Sequence, residues 1–256
     1  MPGAAARSCN LLAPSIAIVA IALLSALFYS SSSTLSSLAS GSAVTSTSPN
    51  PVAAMANPAN LTQRVLTCWF RNWDRTPPVP GPIMSKWFAR DDQFDQEIKS
   101  NFESDVIAAG KGAFDDVAAK SANDALAVAI LLDQFPRNAF RGTAQAFAFD
   151  QKAREIVFRA LDAGFDAHVH PVERQFFYLV LMHHENLESQ QRCVQLEEKL
   201  SREHGEVYPF LKHAVSFAKD HANVIERFGR FPSRNAVLGR ESTAEEKTFL
   251  ESHKGW

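Results

Sequence analysis

Eight polar residues carry the chemistry this sequence could perform: Arg137, Asn138, Arg141, His183, Glu185, Arg234, Asn235 and Arg240. Six of them fall in two stretches that read alike. Asp133-Gln-Phe-Pro-Arg-Asn-Ala-Phe-Arg-Gly142 and Arg230-Phe-Pro-Ser-Arg-Asn-Ala-Val-Leu-Gly-Arg240 each hold Phe-Pro, Arg-Asn and a following Arg near a Gly, directly after a long apolar-periodic segment. Guanidinium forks grip carboxylate or phosphate bidentately, and helix starts expected at Thr143 and Ser242 add free N–H groups and positive dipole ends. One expectation is therefore a pocket for a small anionic ligand. The other is structural: the same arginines and asparagines tie loop carbonyls and pair with Asp133 or Glu185, locking adjacent hairpins.

His183, His184 and Glu185 form a polar cluster, but successive helical residues point about 100° apart and do not converge on one ion, so no metal site is expected. His183 with Glu185 or His221 is an acid/base pair if the fold joins them, and a core histidine bonded to a neighbouring helix if it does not. Cys68 and Cys193 lie on apolar faces and read as small hydrophobes. With no glycine-rich phosphate loop, no G-x-S-x-G and no H-E-x-x-H, no cofactor is expected.

Helices must position these residues, and the two related stretches are read as loops between helices. Phe94, Ile98, Phe102 and Val106 recur every fourth residue, which sets one stripe of a helix starting near Asp91 or Asp92. Ser121 to Asp124 reads as a capping box, and its helix is expected to stop at Phe135, ahead of Pro136. A helix over 143–163 is closed by Gly164. Pro171 opens the next, which runs to about Glu185. Segments from Ser189 to His204, from Tyr208 to Phe228, and from Ser242 or Thr243 onward complete about eight helices. The fold class is all-α, a bundle or helical-hairpin array over residues 60–256. Trp69-Phe-Arg-Asn-Trp73, four prolines between Pro77 and Pro82, and Lys86-Trp-Phe88 form an irregular aromatic stretch. It is read as an apolar plug over the bundle, or as an indole-lined groove.

Ahead of the domain the composition changes. Residues 1–29 contain the apolar run Leu11 to Tyr29, readable as membrane anchor, cleaved signal or the first part of an organelle leader. Residues 30–59 form a Ser/Thr/Pro-rich linker or transit segment, since thirteen of the nineteen positions from Ser30 to Ser48 are Ser or Thr and leave too little apolar content to pack. The protein is thus expected at a membrane or inside a membrane-bound compartment, with membrane association through residues 11–29. Initiation at Met55 would instead leave a cytoplasmic domain. With 26 Lys+Arg against 28 Asp+Glu, nothing draws the chain to nucleic acid by bulk charge.

Across about Leu61 to Leu250 the sequence resembles the domain-of-unknown-function family 924. The resemblance rests on Val65-Leu-Thr-Cys-Trp-Phe70, Leu131-Leu-Asp-Gln-Phe-Pro-Arg-Asn138, Arg141-Gly142, Glu173-Arg174, Met182-His183, Glu185, Arg227-Phe-Gly-Arg-Phe-Pro232, Arg234-Asn235 and Leu238-Gly-Arg240. It implies a helical fold like that of tetratricopeptide-repeat proteins and transfers no activity; Ser233 stands where the family usually has His. Two function classes follow. The first is a non-catalytic scaffold holding a peptide or protein segment in a long open groove. The second is an anionic-ligand site, enzymatic if Arg137, Arg234, His183 and Glu185 converge in one cleft.

Overall fold

The computed structural model describes residues 58–71, 73–253 and 255, and the apolar and Ser/Thr-rich segments read from the sequence lie outside them apart from the last two residues of the linker. Among the described residues there are ten α-helices and no strand: α1 (Pro58–Phe70), α2 (Gly81–Phe88), α3 (Asp92–Gly110), α4 (Asp115–Ala118), α5 (Ala122–Ala139), α6 (Asp150–Asp162), α7 (Pro171–His183), α8 (Leu187–His204), α9 (Phe210–Phe228) and α10 (Ala244–Ser252).

The all-α expectation holds, and the axis of the fold is α5. Its run Ala-Leu-Ala-Val-Ala-Ile-Leu-Leu132 has no polar side and is wholly buried. The helix packs against α1, α3, α4, α6 and α7, so the core is a bundle around a central helix rather than a row in which each unit meets only its neighbours. α7, α8 and α9 follow in turn, with α8 packed against both of the others.

Local signals place the helix ends. The Asp91 carboxylate accepts from the Phe94 N–H (3.0 Å) and starts α3. Thr243 and Glu246 exchange side-chain and backbone bonds as a capping box ahead of α10. Gly164 (φ 71°) and Gly229 (φ 68°) take the left-handed conformation after α6 and α9, where a β-carbon would be strained.

Several expectations are corrected. α5 does not stop at Phe135: it carries Pro136 inside its last turn and runs to Ala139. Arg137 offsets the disruption there by donating Nη1 to the Asp133 carbonyl (2.7 Å), one position from the carbonyl of Leu132 that Pro136 cannot serve. The first Phe-Pro-Arg-Asn stretch is thus helical, whereas the second contains a 3-10 turn over Pro232–Arg234, so the two are not equivalent loops. Residues 143–163 are not one helix but a 3-10 turn over Ala144–Phe147 followed by α6. At α5 the Ser121 hydroxyl accepts from the Asp124 N–H, but the Asp124 carboxylate takes the hydroxyls of Ser121 and Thr62 rather than a backbone N–H.

The aromatic stretch is a plug, though α2 within it is helical. Trp69, Trp73 and Trp87 are buried; Trp69 meets Phe135 and Phe176 ring to ring, Trp87 meets Phe70, Phe176 and Trp73, and Trp87 Nε1 donates to the Trp69 carbonyl (2.9 Å). Arg71 (φ 55°) and Arg75 (φ 69°) flank Trp73 and are the only non-glycine residues described with positive φ. A side chain in that region costs about 1 to 2 kcal/mol.

Candidate functional site

The end of α5 and the start of α6 are joined through Arg137 and Asp150. Asp133, at the buried side of α5, accepts from Gln134 Nε2 (2.6 Å) and lies 3.1 Å from Arg137 Nη1. Arg137, one turn on, also grips both carboxylate oxygens of Asp150, the first residue of α6, at 2.9 and 3.0 Å. Arg234, from the second Phe-Pro turn, reaches the same carboxylate at 3.1 Å and donates to the His183 carbonyl at 2.9 Å. Both guanidiniums lie over the Phe147 ring, and Arg234 also lies against Phe231. The two related stretches therefore meet on one residue, Asp150.

His183, at the end of α7, turns Nδ1 toward the Asp133 carboxylate at 2.9 Å. A carboxylate only accepts, so Nδ1 carries the proton. Burial pulls His183 below the usual histidine range even though Asp133 opposes this. Burial would raise Asp133, but Arg137 and His183 outweigh it and hold the carboxyl well below the carboxylate range. His221 lies with its ring centre 6.4 Å from that of His183 and gives its own Nδ1–H to the Phe217 carbonyl (2.8 Å).

The remaining predicted residues are close in sequence but bound elsewhere. Glu185 does not pair with His183. It takes Arg240 in a two-oxygen grip (2.6 and 2.9 Å) and the Phe231 N–H at 2.7 Å, which ties the second turn to the end of α7. Asn235 donates to Ser242 Oγ and to Glu246, whose two oxygens also hold Arg230. Asn138 and Arg141 both turn to α3, where Asp95 accepts from Asn138 Nδ2 (2.8 Å) and from Arg141 Nε and Nη2 (2.6 and 2.9 Å).

Thus Arg137, Arg234 and His183 converge, while Glu185 with Arg240, and Asn138 with Arg141, form separate knots. At the point of convergence two guanidiniums face two carboxylates. Burial and the neighbouring Arg137 lower Arg234 to about 10, still cationic at neutral pH. Each positive charge already has an internal anion, so the arrangement holds three chain segments together and leaves no uncompensated cation at its centre. Asp150, Asp95 and Glu246 are the partners that sequence reasoning did not name. Glu246, three residues after Thr243, has the spacing of a capping residue, whereas Asp95 and Asp150 carry no local mark of their role.

Open space lies elsewhere. Two clefts, each of about 430 Å³, flank α1. Gln63, Thr67 and Arg71, spaced four residues apart, line both and form the ridge between them. The first cleft is completed by Asn60, Arg64, Cys68 and residues of α3 including Glu97, Asn101 and Phe102. The second is completed by Leu66, Arg75, Asn123 at the start of α5 and Glu173 at the start of α7. Arg71 pairs with both oxygens of Glu97 (2.8 Å each), and Arg75 reaches Glu173 Oε1 through Nε (2.9 Å) and Nη2 (2.6 Å). Among the described residues no three His, Cys, Asp or Glu side chains come together as a metal site requires.

Comparison with known proteins gives relatives without an assigned activity. A search of curated proteins finds no match. The solved structure of a protein of unknown function, ATU0120 from Agrobacterium tumefaciens, is 35% identical and superposes with a TM-score of 0.64, covering 77% of this chain and all of that one. The family described as bacterial protein of unknown function (DUF924) matches residues 65–254, a stretch that contains both Phe-Pro turns and their carboxylate partners. The chain belongs to the DUF924 family.

Proposed function

We propose that this protein is a non-catalytic helical scaffold that holds an extended peptide segment along α1. The observation that carries this reading is the pair of clefts sharing the Gln63–Thr67–Arg71 ridge. They run side by side along α1 with the ridge between them, a double trough open to solvent. From Asn60 to Arg71 the helix rises about 17 Å, the length of about five extended residues. The lining suits a peptide backbone. Side-chain amides both donate and accept, and Asn60 and Asn101 on one side, Asn123 on the other and Gln63 on the ridge can pair with main-chain groups whatever the sequence.

The test uses the trough itself. Random linear peptides selected against the whole chain are expected to lose about tenfold or more in affinity for a Thr67→Tyr variant, in which the exposed ridge residue becomes a block. Its melting temperature should stay near that of the parent, because Thr67 is not part of the core. Selected peptides that bind both chains equally, or an absence of any selected binder, would count against the scaffold.

The second reading, a small anionic ligand bound or turned over at the Phe-Pro turns, has the convergence of Arg137, Arg234 and His183 in its favour. It has the internal neutralisation of both arginines against it.

For location, the leader is the determinant we propose. No described helix is long and apolar enough to cross a membrane, and the apolar run lies outside the described residues. Residues 1–58 fused to a fluorescent reporter are expected to direct it to a membrane or membrane-bound compartment. A reporter spread through the cytosol would favour initiation at Met55.

A further inference from the structure

Arg71 and Arg75 share two unusual properties. They are the only described residues other than glycine with positive φ, and both line the second cleft of the trough. Arg71 occupies the position after α1 where glycine is the usual choice, its N–H bonding back to the Thr67 carbonyl at 2.9 Å. Strained backbone at the rim of a cleft points toward a function for the side chains it carries.

Both guanidiniums keep capacity for a further acceptor. Arg71 makes two hydrogen bonds, one from each Nη to Glu97, and Arg75 makes three, two to one oxygen of Glu173 and one to the Trp73 carbonyl. A guanidinium has five N–H groups. The two side chains are 31% and 38% exposed, so Nη hydrogens can face the cleft. The one carboxylate lining this cleft, that of Glu173, has its second oxygen held by the His170 N–H (3.2 Å) and stays on the wall. An incoming anion meets two guanidiniums, each held on one side by an internal carboxylate but more open to solvent than Arg137 and Arg234, together with the amides of Gln63 and Asn123.

We propose that the Arg71–Arg75 end of the α1 trough is an anchor for a peptide carboxylate, which fixes the direction in which the bound segment lies. This deepens the scaffold reading and rests on it. The carboxylate can come from a free C-terminus or from an Asp or Glu side chain, and the chemistry recognised is the same.

The experiment compares three unlabelled, N-acetylated peptides of six residues, alternating Ala and Ser, titrated into the whole chain by calorimetry: one with a free C-terminal acid, one C-terminally amidated, and one amidated with Asp at the penultimate position. Each is measured against the parent and against Asn123→Asp. Asn123 is exposed at the second position of α5, where a carboxylate suits the helix dipole, so this variant keeps the fold while adding a negative charge to the cleft. The free acid is expected to bind about tenfold tighter than the amide, and Asn123→Asp to cut that acid-to-amide ratio at least threefold. Recovery of tight binding by the Asp peptide also supports the anchor and identifies a side chain as a sufficient source; its absence restricts the source to the C-terminus. Equal binding of acid and amide, or a preference that Asn123→Asp leaves untouched, overturns the anchor while the scaffold stands. If none of the three binds at millimolar concentration, scaffold and anchor fall together.

Discussion

Replacing Glu197 by methionine is expected to stabilise the protein by about 3 to 5 kcal/mol at pH 8 and by less than about 1 kcal/mol at pH 5. Glu197 lies on the inner face of α8, one turn after Cys193 and three residues before Leu200, all three buried. Its side chain is completely buried, and neither carboxyl oxygen has a hydrogen-bond partner. Burial alone pushes its pKa up to about 8 from an ordinary value of 4.5. Because the folded pKa is raised, whatever stability the protonated acid allows is fully present below about 4.5. It is lost progressively as the pH rises toward 8, since the unfolded chain releases the proton and the folded one retains it. Methionine fills a similar volume without a titrating group or an unpaired polar atom. Denaturant unfolding of both proteins between pH 5 and 9 checks this. A stability difference that does not change with pH would show that Glu197 ionises in place or is not isolated.

The double replacement Arg137→Ala with Arg234→Ala is expected to lower stability by about 3 to 5 kcal/mol. It leaves the buried Asp133 and Asp150 carboxylates without their guanidinium partners, and it unties the Phe231–Asn235 turn from α6 and α7. Arg137→Ala alone should account for most of the loss, because Arg137 serves both carboxylates, whereas Asp150 keeps Arg137 when Arg234 is removed. Acid titration supplies a second signature. Arg137 and His183 depress Asp133, so its contribution to stability is present above the ordinary carboxylate pKa and lost as the pH falls below it. That acid-side loss should shrink in Arg137→Ala. Thermal melts with millimolar phosphate or sulfate separate the two readings of the turns. A parent indifferent to anions and an unstable double variant agree with a structural lock. A stable double variant that loses an anion-induced rise in melting temperature would return the site to a ligand.

Pro136 shows where local rules and tertiary context part. A proline and the residue before it disfavour a continuing helix, yet α5 persists to Ala139. The last turn is held by contacts the local sequence does not contain: Asn138 on Asp95 of α3 and Arg137 on Asp150 of α6. The aromatic stretch shows the converse. Three buried tryptophans were legible as a plug from their number and spacing. That Gly81–Phe88 is helical was hidden by the prolines, one of which sits in its first turn, where a missing N–H costs nothing.

By itself the sequence determined most of the helices, several of their ends and which faces are buried. Those are set by interactions within about four residues: apolar side chains one turn apart share a face, and Asp91, Ser121 and Thr243 each accept from the N–H three residues ahead. It also named Arg137, Arg234, Asn138 and Asn235 as residues that must bond something. Only the tertiary structure decided what. Arg234 finds Asp150 across 84 residues, Arg141 finds Asp95 across 46, and Arg75 finds Glu173 across 98. Long flexible side chains can reach an acid on any neighbouring helix, and the choice is made by helix packing and by the cost of leaving a buried charge unpaired. The isolation of Glu197 has the same origin: its position on α8 marks it as inward, but only the packed helices around it decide that no donor comes within reach.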